Sequence, residues 1–290
     1  MSRIETAMKL AGTAPASEQS KNQDEVFASS WATRPASRQA AGDPGDTRLL
    51  VSEARPSVSW SSGWRERCVA APEADPVLVE QYRRLAVVLH NAQASNGLRV
   101  IMIASADQAD GKTSTSLNLA LVLSESYHRR VLLIDADLRR PSLGGLLELA
   151  DVPGLGEALK APVEQKLSVI QMTPNFTLLP GGRPDPDPIR GLTSPRMRQI
   201  LDEASERFDW VIIDAPPMGP TADAQFLADM VDGIVFVIRA GHTQHPRVEK
   251  AIDTLGRERI LGVVLNGVSE MPGGAYGYSY GYGPAKPRQG

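Results

Sequence analysis

Three short blocks of this sequence carry residue types suited to phosphoryl chemistry. The first is Ala106-Asp107-Gln108-Ala109-Asp110-Gly111-Lys112-Thr113, a polar loop that ends in a glycine, a lysine and a hydroxyl. It follows an apolar run and opens a helical pattern, the setting in which backbone N–H groups cradle phosphate oxygens. There the Lys112 ammonium reaches β and γ phosphates, and the Thr113 hydroxyl holds Mg²⁺. Asp107, Gln108, Ala109, Asp110, Gly111, Lys112, Thr113 and Ser114 are therefore the expected nucleotide contacts, with Ala106 where such loops usually begin on glycine.

The second block is Val131-Leu132-Leu133-Ile134-Asp135-Ala136-Asp137-Leu138-Arg139-Arg140-Pro141. An apolar strand ending in Asp135, with Asp137 just beyond, puts two carboxylates at the sheet edge where open α/β folds bind ligands. They can hold magnesium through waters and take a proton from an attacking hydroxyl. The plainer alternative is a solvated pair neutralised by Arg139 or Arg140. The third block, Val211-Ile212-Ile213-Asp214-Ala215-Pro216-Pro217, is another apolar strand ending in aspartate. Asp214 is placed to orient the metal and its waters. Lys112, Asp135, Asp137 and Asp214 are the expected catalytic residues, and Thr113, Asp135 and Asp214 the expected metal ligands.

A different chemistry marks the C-terminus. Four of the six tyrosines, Tyr276, Tyr278, Tyr280 and Tyr282, alternate there with glycine and serine. A glycine-rich stretch has little to bury and much backbone entropy to lose, which predicts a flexible tail over residues 271–290. A row of phenols beside a nucleotide site suggests a kinase that carries its own acceptor; read alone, the row fits a low-complexity linker equally well.

The elements that must position these blocks are legible as short apolar runs at residues 100–104, 131–134, 211–213, 234–238 and 261–265. Too short for helices and too uniformly apolar for one-sided strands, they read as strands covered on both faces. Helical patterns fall between them at about 113–126, 194–207, 221–231 and 246–257, and an amphipathic helix starts at Pro76. Alternation of this kind predicts a doubly wound, mostly parallel α/β sheet with helices on both faces, a P-loop NTPase fold spanning residues 75–270. Residues 1–74, rich in Ala, Ser, Pro and Gly without sustained apolar periodicity, are expected to be largely disordered. Within them Trp60-Ser61-Ser62-Gly63-Trp64 is either a docking element or ordinary linker.

Composition narrows the function classes. No apolar run reaches the roughly 18–20 residues needed to cross a bilayer, and the N-terminus has no signal-like apolar region, so the chain is expected to be cytoplasmic. Cys68 is the one cysteine, which excludes an internal disulfide and a cysteine-rich zinc site. A net charge of −3 gives no general reason to expect nucleic acid as a partner.

In order and residue content the three blocks, together with the tyrosine row, resemble the bacterial tyrosine kinases over roughly residues 76–283. Leu179-Pro180-Gly181-Gly182, followed by the proline-rich 184–188, strengthens that likeness. The resemblance implies ATP and Mg²⁺ as cofactors, the aspartate-x-aspartate block as a second Walker-A-like motif, Asp214 as Walker B, and phosphorylation of Tyr276, Tyr278, Tyr280 and Tyr282 by a neighbouring protomer. It further implies control of exopolysaccharide or capsule synthesis and export, a separate membrane-bound chain-length regulator that recruits the protein to the inner face of the plasma membrane, and an opposing tyrosine phosphatase. Asn266 resembles a position that contacts adenine, with capping or turn formation as the alternative. Two departures stand out. Where family loops commonly read Pro-Gly-Glu, this chain has Gln108-Ala109-Asp110, which bears on catalytic rate; the self-association pattern Glu-x2-Arg-x2-Arg is met by Glu80 and Arg83 but has Ala86 at its last position. A positioning ATPase like ParA and MinD, or a weakly active ATP-binding scaffold, are the competing classes.

Overall fold

The computed structural model describes residues 49–52, 68–71, 73–149, 152–162, 167–219 and 222–268. The tyrosine row and Trp60 to Trp64 lie outside them. Eight strands form one sheet, numbered here β1 (Leu49–Ser52), β2 (Val100–Ser105), β3 (Val131–Asp135), β4 (Leu167–Gln171), β5 (Phe176–Leu179), β6 (Trp210–Asp214), β7 (Gly233–Arg239) and β8 (Ile260–Asn266), in spatial order β1-β4-β5-β3-β6-β2-β7-β8. All neighbours run parallel except the β4–β5 pair. The helices are α1 (Pro76–Asn96), α2 (Lys112–Glu125), α3 (Leu143–Leu146), α4 (Leu155–Lys160), α5 (Ile189–Leu192), α6 (Pro195–Arg207), α7 (Asp223–Ala228) and α8 (His245–Leu255).

Strand alternation divides the core into two layers. Val100, Met102 and Ala104 of β2 pack with α6, α7 and α8, while Ile101 and Ile103 pack with α1 and α2. Both faces are covered, which is why the central strands carry continuous apolar runs. Helix starts follow from local chemistry: Asp75 accepts the Val77 N–H ahead of α1, with Pro76 in the first turn, and Ser194 with Pro195 does the same for α6.

The expected strands and long helices are present; three strands were not expected. β4 and β5 are short and carry polar residues such as Gln171 and Thr177, so neither periodicity stands out. β1 lies within the segment expected to be disordered, yet pairs in parallel with β4. Cys68 is also buried in the α1–α2 layer, and the Val69 N–H donates to Asn118 Oδ1 at 3.0 Å. The packed body thus begins before residue 75. The helix expected at 221–231 is confined to Asp223–Ala228. Among the described residues no helix is long and apolar enough to cross a membrane.

Candidate functional site

Strands β2, β3 and β6 lie side by side and end together. Asp135 and Asp214 are paired in register at the ends of β3 and β6, so two acidic side chains are brought onto adjacent strands from positions far apart in sequence. The loop from β2 into α2 arrives beside them. Lys112, the first residue of α2, is buried and donates from Nζ to Ser105 Oγ at 3.2 Å. One helical turn on, Ser116 donates to Asp214 Oδ1 at 3.1 Å, and the Thr113 hydroxyl also bonds the Asp214 carboxylate. Thr113 Oγ1 lies 3.3 Å from Ser142 Oγ, bridging to the loop after β3.

The phosphate loop itself is tightly built. Ala109 stands at φ 62° and Gly111 at φ 100°. A Cβ on Gly111 would sit 1.8 Å from Asn266 Nδ2, so that position needs glycine for space as well as for conformation. Asn266 donates to the Asp110 carbonyl at 2.9 Å, so its contact in this structure is with the loop backbone from behind. The outer loop residues are held as well: Asp107 pairs with Arg247 at 2.8 Å, and Gln108 accepts from Arg140 at 2.9 Å.

The loop after β3 folds over its own aspartate. Asp135 Oδ2 accepts the backbone N–H groups of Ser142 and Leu143 at 2.8 and 2.9 Å, and Oδ1 accepts that of Asp137 at 3.3 Å. Both oxygens are thus engaged, while Asp137 stays half-buried, its Oδ1 accepting the Arg140 N–H at 3.2 Å. Gly181, from the Leu-Pro-Gly-Gly block, closes against this loop: a Cβ there would lie 2.6 Å from Pro141 Cβ and 3.3 Å from Asp135 Cγ. Neither nearby arginine forms an ion pair with the aspartates as the plainer reading supposed, although the Arg140 N–H donates to Asp137 Oδ1 and its charge favours that carboxylate. Arg139 reaches Asp223 at 2.6 Å and the Pro186 carbonyl, and Arg140 turns its guanidinium to Gln108.

Burial dominates the electrostatics here. It pushes the Asp135 carboxyl up to about 7, assisted by the neighbouring Asp214, and Asp214 up to about 6, opposed by hydrogen bonds from Thr113 and Ser116 and by Lys112. Asp137 is raised for the same reason, while burial lowers Lys112 against the pull of Asp214, Asp137, Asp110 and Asp107. Such an excess of crowded acid over base favours a cation. Among the described residues no group of three or more His, Cys, Asp or Glu is spaced to hold a metal. The set instead suits Mg²⁺ held by a hydroxyl and one carboxylate, with waters and phosphate oxygens completing the shell. Thr113 and Asp214, already bonded to each other, are the residues that would hold such an ion, with Asp135 beside them on the neighbouring strand.

Of the residues expected from the sequence, Lys112, Thr113, Asp135, Asp137 and Asp214 are brought to one edge. Ser105, Ser116, Ser142 and Thr243 were not expected. Of these Ser116, one turn beyond Lys112, and Ser105, which ends the apolar run of β2, had a local signal.

The sheet, the loop entering α2 and the aspartates at neighbouring strand ends define a P-loop NTPase. A family model of the ParA type, described as a NUBPL iron-transfer P-loop NTPase, matches residues 97–272. The chain is 34% identical over 221 residues to tyrosine-protein kinase YwqD of Bacillus subtilis, covering 75% of this chain and 92% of that protein. It is 33% identical over 205 residues to the succinoglycan biosynthesis transport protein ExoP of Rhizobium meliloti, covering 68% of this chain but only 26% of ExoP. The solved kinase domain of the Escherichia coli tyrosine kinase Etk superposes with a TM-score of 0.62 at 33% identity, over 70% of this chain and 80% of that one. The chain belongs to the bacterial tyrosine-kinase family.

Proposed function

We propose that this protein is an ATP-dependent tyrosine autokinase that phosphorylates Tyr276, Tyr278, Tyr280 and Tyr282 of a neighbouring copy. The single observation that carries the reading is the in-register pairing of Asp135 with Asp214 beside the buried Lys112. Magnesium-bound ATP supplies the transferable phosphoryl group. Lys112 and the N–H groups at the start of α2 stabilise the negative charge that spreads over that group. Thr113 and Asp214 hold the metal. Asp137 receives the phenol proton, since its carboxylate is half-buried, with Oδ1 accepting the Arg140 N–H, whereas both oxygens of Asp135 are occupied by backbone N–H groups. Asp135 fixes the turn that carries Asp137.

Each tail phosphate adds roughly −1.5 to −2 charges at neutral pH, so a row of them repels itself and the acidic edge. Phosphorylation would thereby loosen contacts between copies and act as a switch. The name of ExoP, a succinoglycan biosynthesis transport protein, supports a setting in polysaccharide synthesis or export; a membrane-bound regulator that recruits the kinase and a phosphatase that resets it complete the proposal.

The test is phosphotyrosine mass spectrometry on protein incubated with ATP and magnesium. Wild type should carry phosphate on the tail, and Lys112→Met should lose it by on the order of 100-fold or more, the scale of losing one preorganised charge-stabilising group. ATP hydrolysis without tail phosphate would instead point to a positioning ATPase, and neither activity to a scaffold.

A further inference from the structure

The phosphate loop is held in its shape by a turn distant in sequence. β7 ends at Arg239, and the chain then makes a tight turn, in which the Thr243 N–H donates to the Arg239 carbonyl at 3.1 Å and Gly241 stands at φ 67°. The Arg239 N–H in turn donates to Thr243 Oγ1 at 3.0 Å, which leaves the hydroxyl proton free to donate elsewhere. It goes to Asp110 Oδ1 at 2.7 Å, with both side chains buried. Asp110 Oδ2 then accepts the Asp107 N–H at 2.9 Å, closing the loop on itself. The Arg239 guanidinium adds a bond to the Ala109 carbonyl at 3.3 Å.

Ala109 makes this arrangement necessary. A left-handed backbone conformation costs a residue with a Cβ on the order of 1–2 kcal/mol, and nothing in Gln108-Ala109-Asp110 supplies the glycine that would remove it. Bonds on both sides of Ala109 must therefore hold the turn. We propose that the turn from Arg239 to Thr243 is a brace that sets the phosphate loop for nucleotide, with Thr243 as its positioning residue. The inference rests on the nucleotide-binding reading above. Because the same turn leads into α8, whose Arg247 pairs with Asp107, displacement of this connection is transmitted to the phosphate cradle.

The test compares Thr243→Val, which keeps shape and removes the hydroxyl, with Thr243→Ser, which restores it. Hydrogen exchange of residues 107–112 in nucleotide-free protein is read first, then ATP affinity and the kcat and KM of tail phosphorylation. The valine variant should exchange faster in this loop, bind ATP about tenfold more weakly and raise KM for ATP with kcat changed less than about twofold; the serine variant should return each to within about twofold of wild type. Adding Ala109→Gly to Thr243→Val should recover part of the lost affinity. Wild-type exchange in the valine variant, or a serine variant as impaired as the valine one, would overturn the brace. Should Thr243→Val not fold, Arg239→Met on the exposed end of β7 takes its place: faster loop exchange and weaker binding support the brace, and no change in either contradicts it. A loop that responds as expected in a protein that binds no ATP would sink the functional reading and leave the brace standing.

Discussion

The two loops that meet at the acidic edge of the sheet hold their key side chains over different distances in sequence. After β3, the Asp135 carboxylate is gripped by N–H groups of residues no more than eight positions away, so the acid itself is held locally, although Arg139 and the Leu138 carbonyl also tie the loop to Asp223 and the Asp185 N–H. After β2, the phosphate loop is held by Thr243, Arg247 and Asn266, each more than 130 residues distant. A locally closed loop keeps its geometry when the rest of the site is disturbed, whereas a remotely held one registers changes elsewhere in the fold. The nucleotide end of the site is therefore the adaptable one, and the acid end the fixed one.

The largest expected effect separates the two loops by substitution. Gly111→Ala combines a strained backbone angle with a Cβ 1.8 Å from Asn266, and should weaken nucleotide binding on the order of 100-fold, as for other displacements of about an ångström in a reactive site. Gly181→Ala presses on Pro141 and Asp135 instead, at a cost of about 1–3 kcal/mol in stability. Phosphotransfer should fall there while ATP affinity stays close to wild type. Calorimetric binding of ATP to both variants, beside phosphorylation rates, checks the contrast; equal losses of affinity would erase the distinction between the loops.

Next in size is the effect of pH on the acid end. With Asp135 pushed up to about 7 and Asp214 to about 6, the folded, nucleotide-free protein favours their protonated forms more than the unfolded chain does. Their contribution to stability is complete below the ordinary carboxylate range, and is lost as pH rises through about 6 to 7. Asp135→Asn should consequently raise the melting temperature of the nucleotide-free protein at pH 8 relative to wild type, leave it little changed at pH 4, and abolish efficient phosphotransfer. A melting temperature that falls equally at both pH values would show that the carboxylate stabilises the loop more than its burial costs.

Smaller effects sharpen the account of the phosphate loop. Ala109→Gly relieves the left-handed strain but gains unfolded-state freedom, and should stabilise the domain by less than about 1 kcal/mol in thermal denaturation. The exposed bridge from Arg140 to Gln108 is the weakest link between the loops. Gln108→Ala should change stability by less than about 0.5 kcal/mol and leave ATP affinity near wild type, as surface substitutions usually do.

The same division explains what the sequence made legible. Lys112, Thr113, Asp135, Asp137 and Asp214 sit beside apolar strands whose uniform pattern announces their position at a strand end, so chemistry and placement could be read together. Thr243 sits in a turn with no such run beside it, and its role arises only when β7 and β2 are laid side by side, whereas Ser105 ends the β2 run and passed unnoticed as a small polar residue. The Arg139 to Asp223 pair joins segments that no local period connects, and turned the expected partner of the aspartates to other work. β4 and β5 escaped notice because short strands interrupted by polar residues mimic loops, and β1 because its pairing partner lies more than 100 residues away.

Mixing a copy without a working phosphate loop with a copy that lacks acceptor tyrosines tests the central claim most directly. Lys112→Met protein with its four tail tyrosines intact is mixed with protein whose Tyr276, Tyr278, Tyr280 and Tyr282 are all phenylalanine, in the presence of ATP and magnesium. The account predicts phosphate on the tail of the Lys112→Met copy, placed there by the carboxylate edge of the other. Intact ATP binding by the phenylalanine variant with no phosphate on either chain would contradict it.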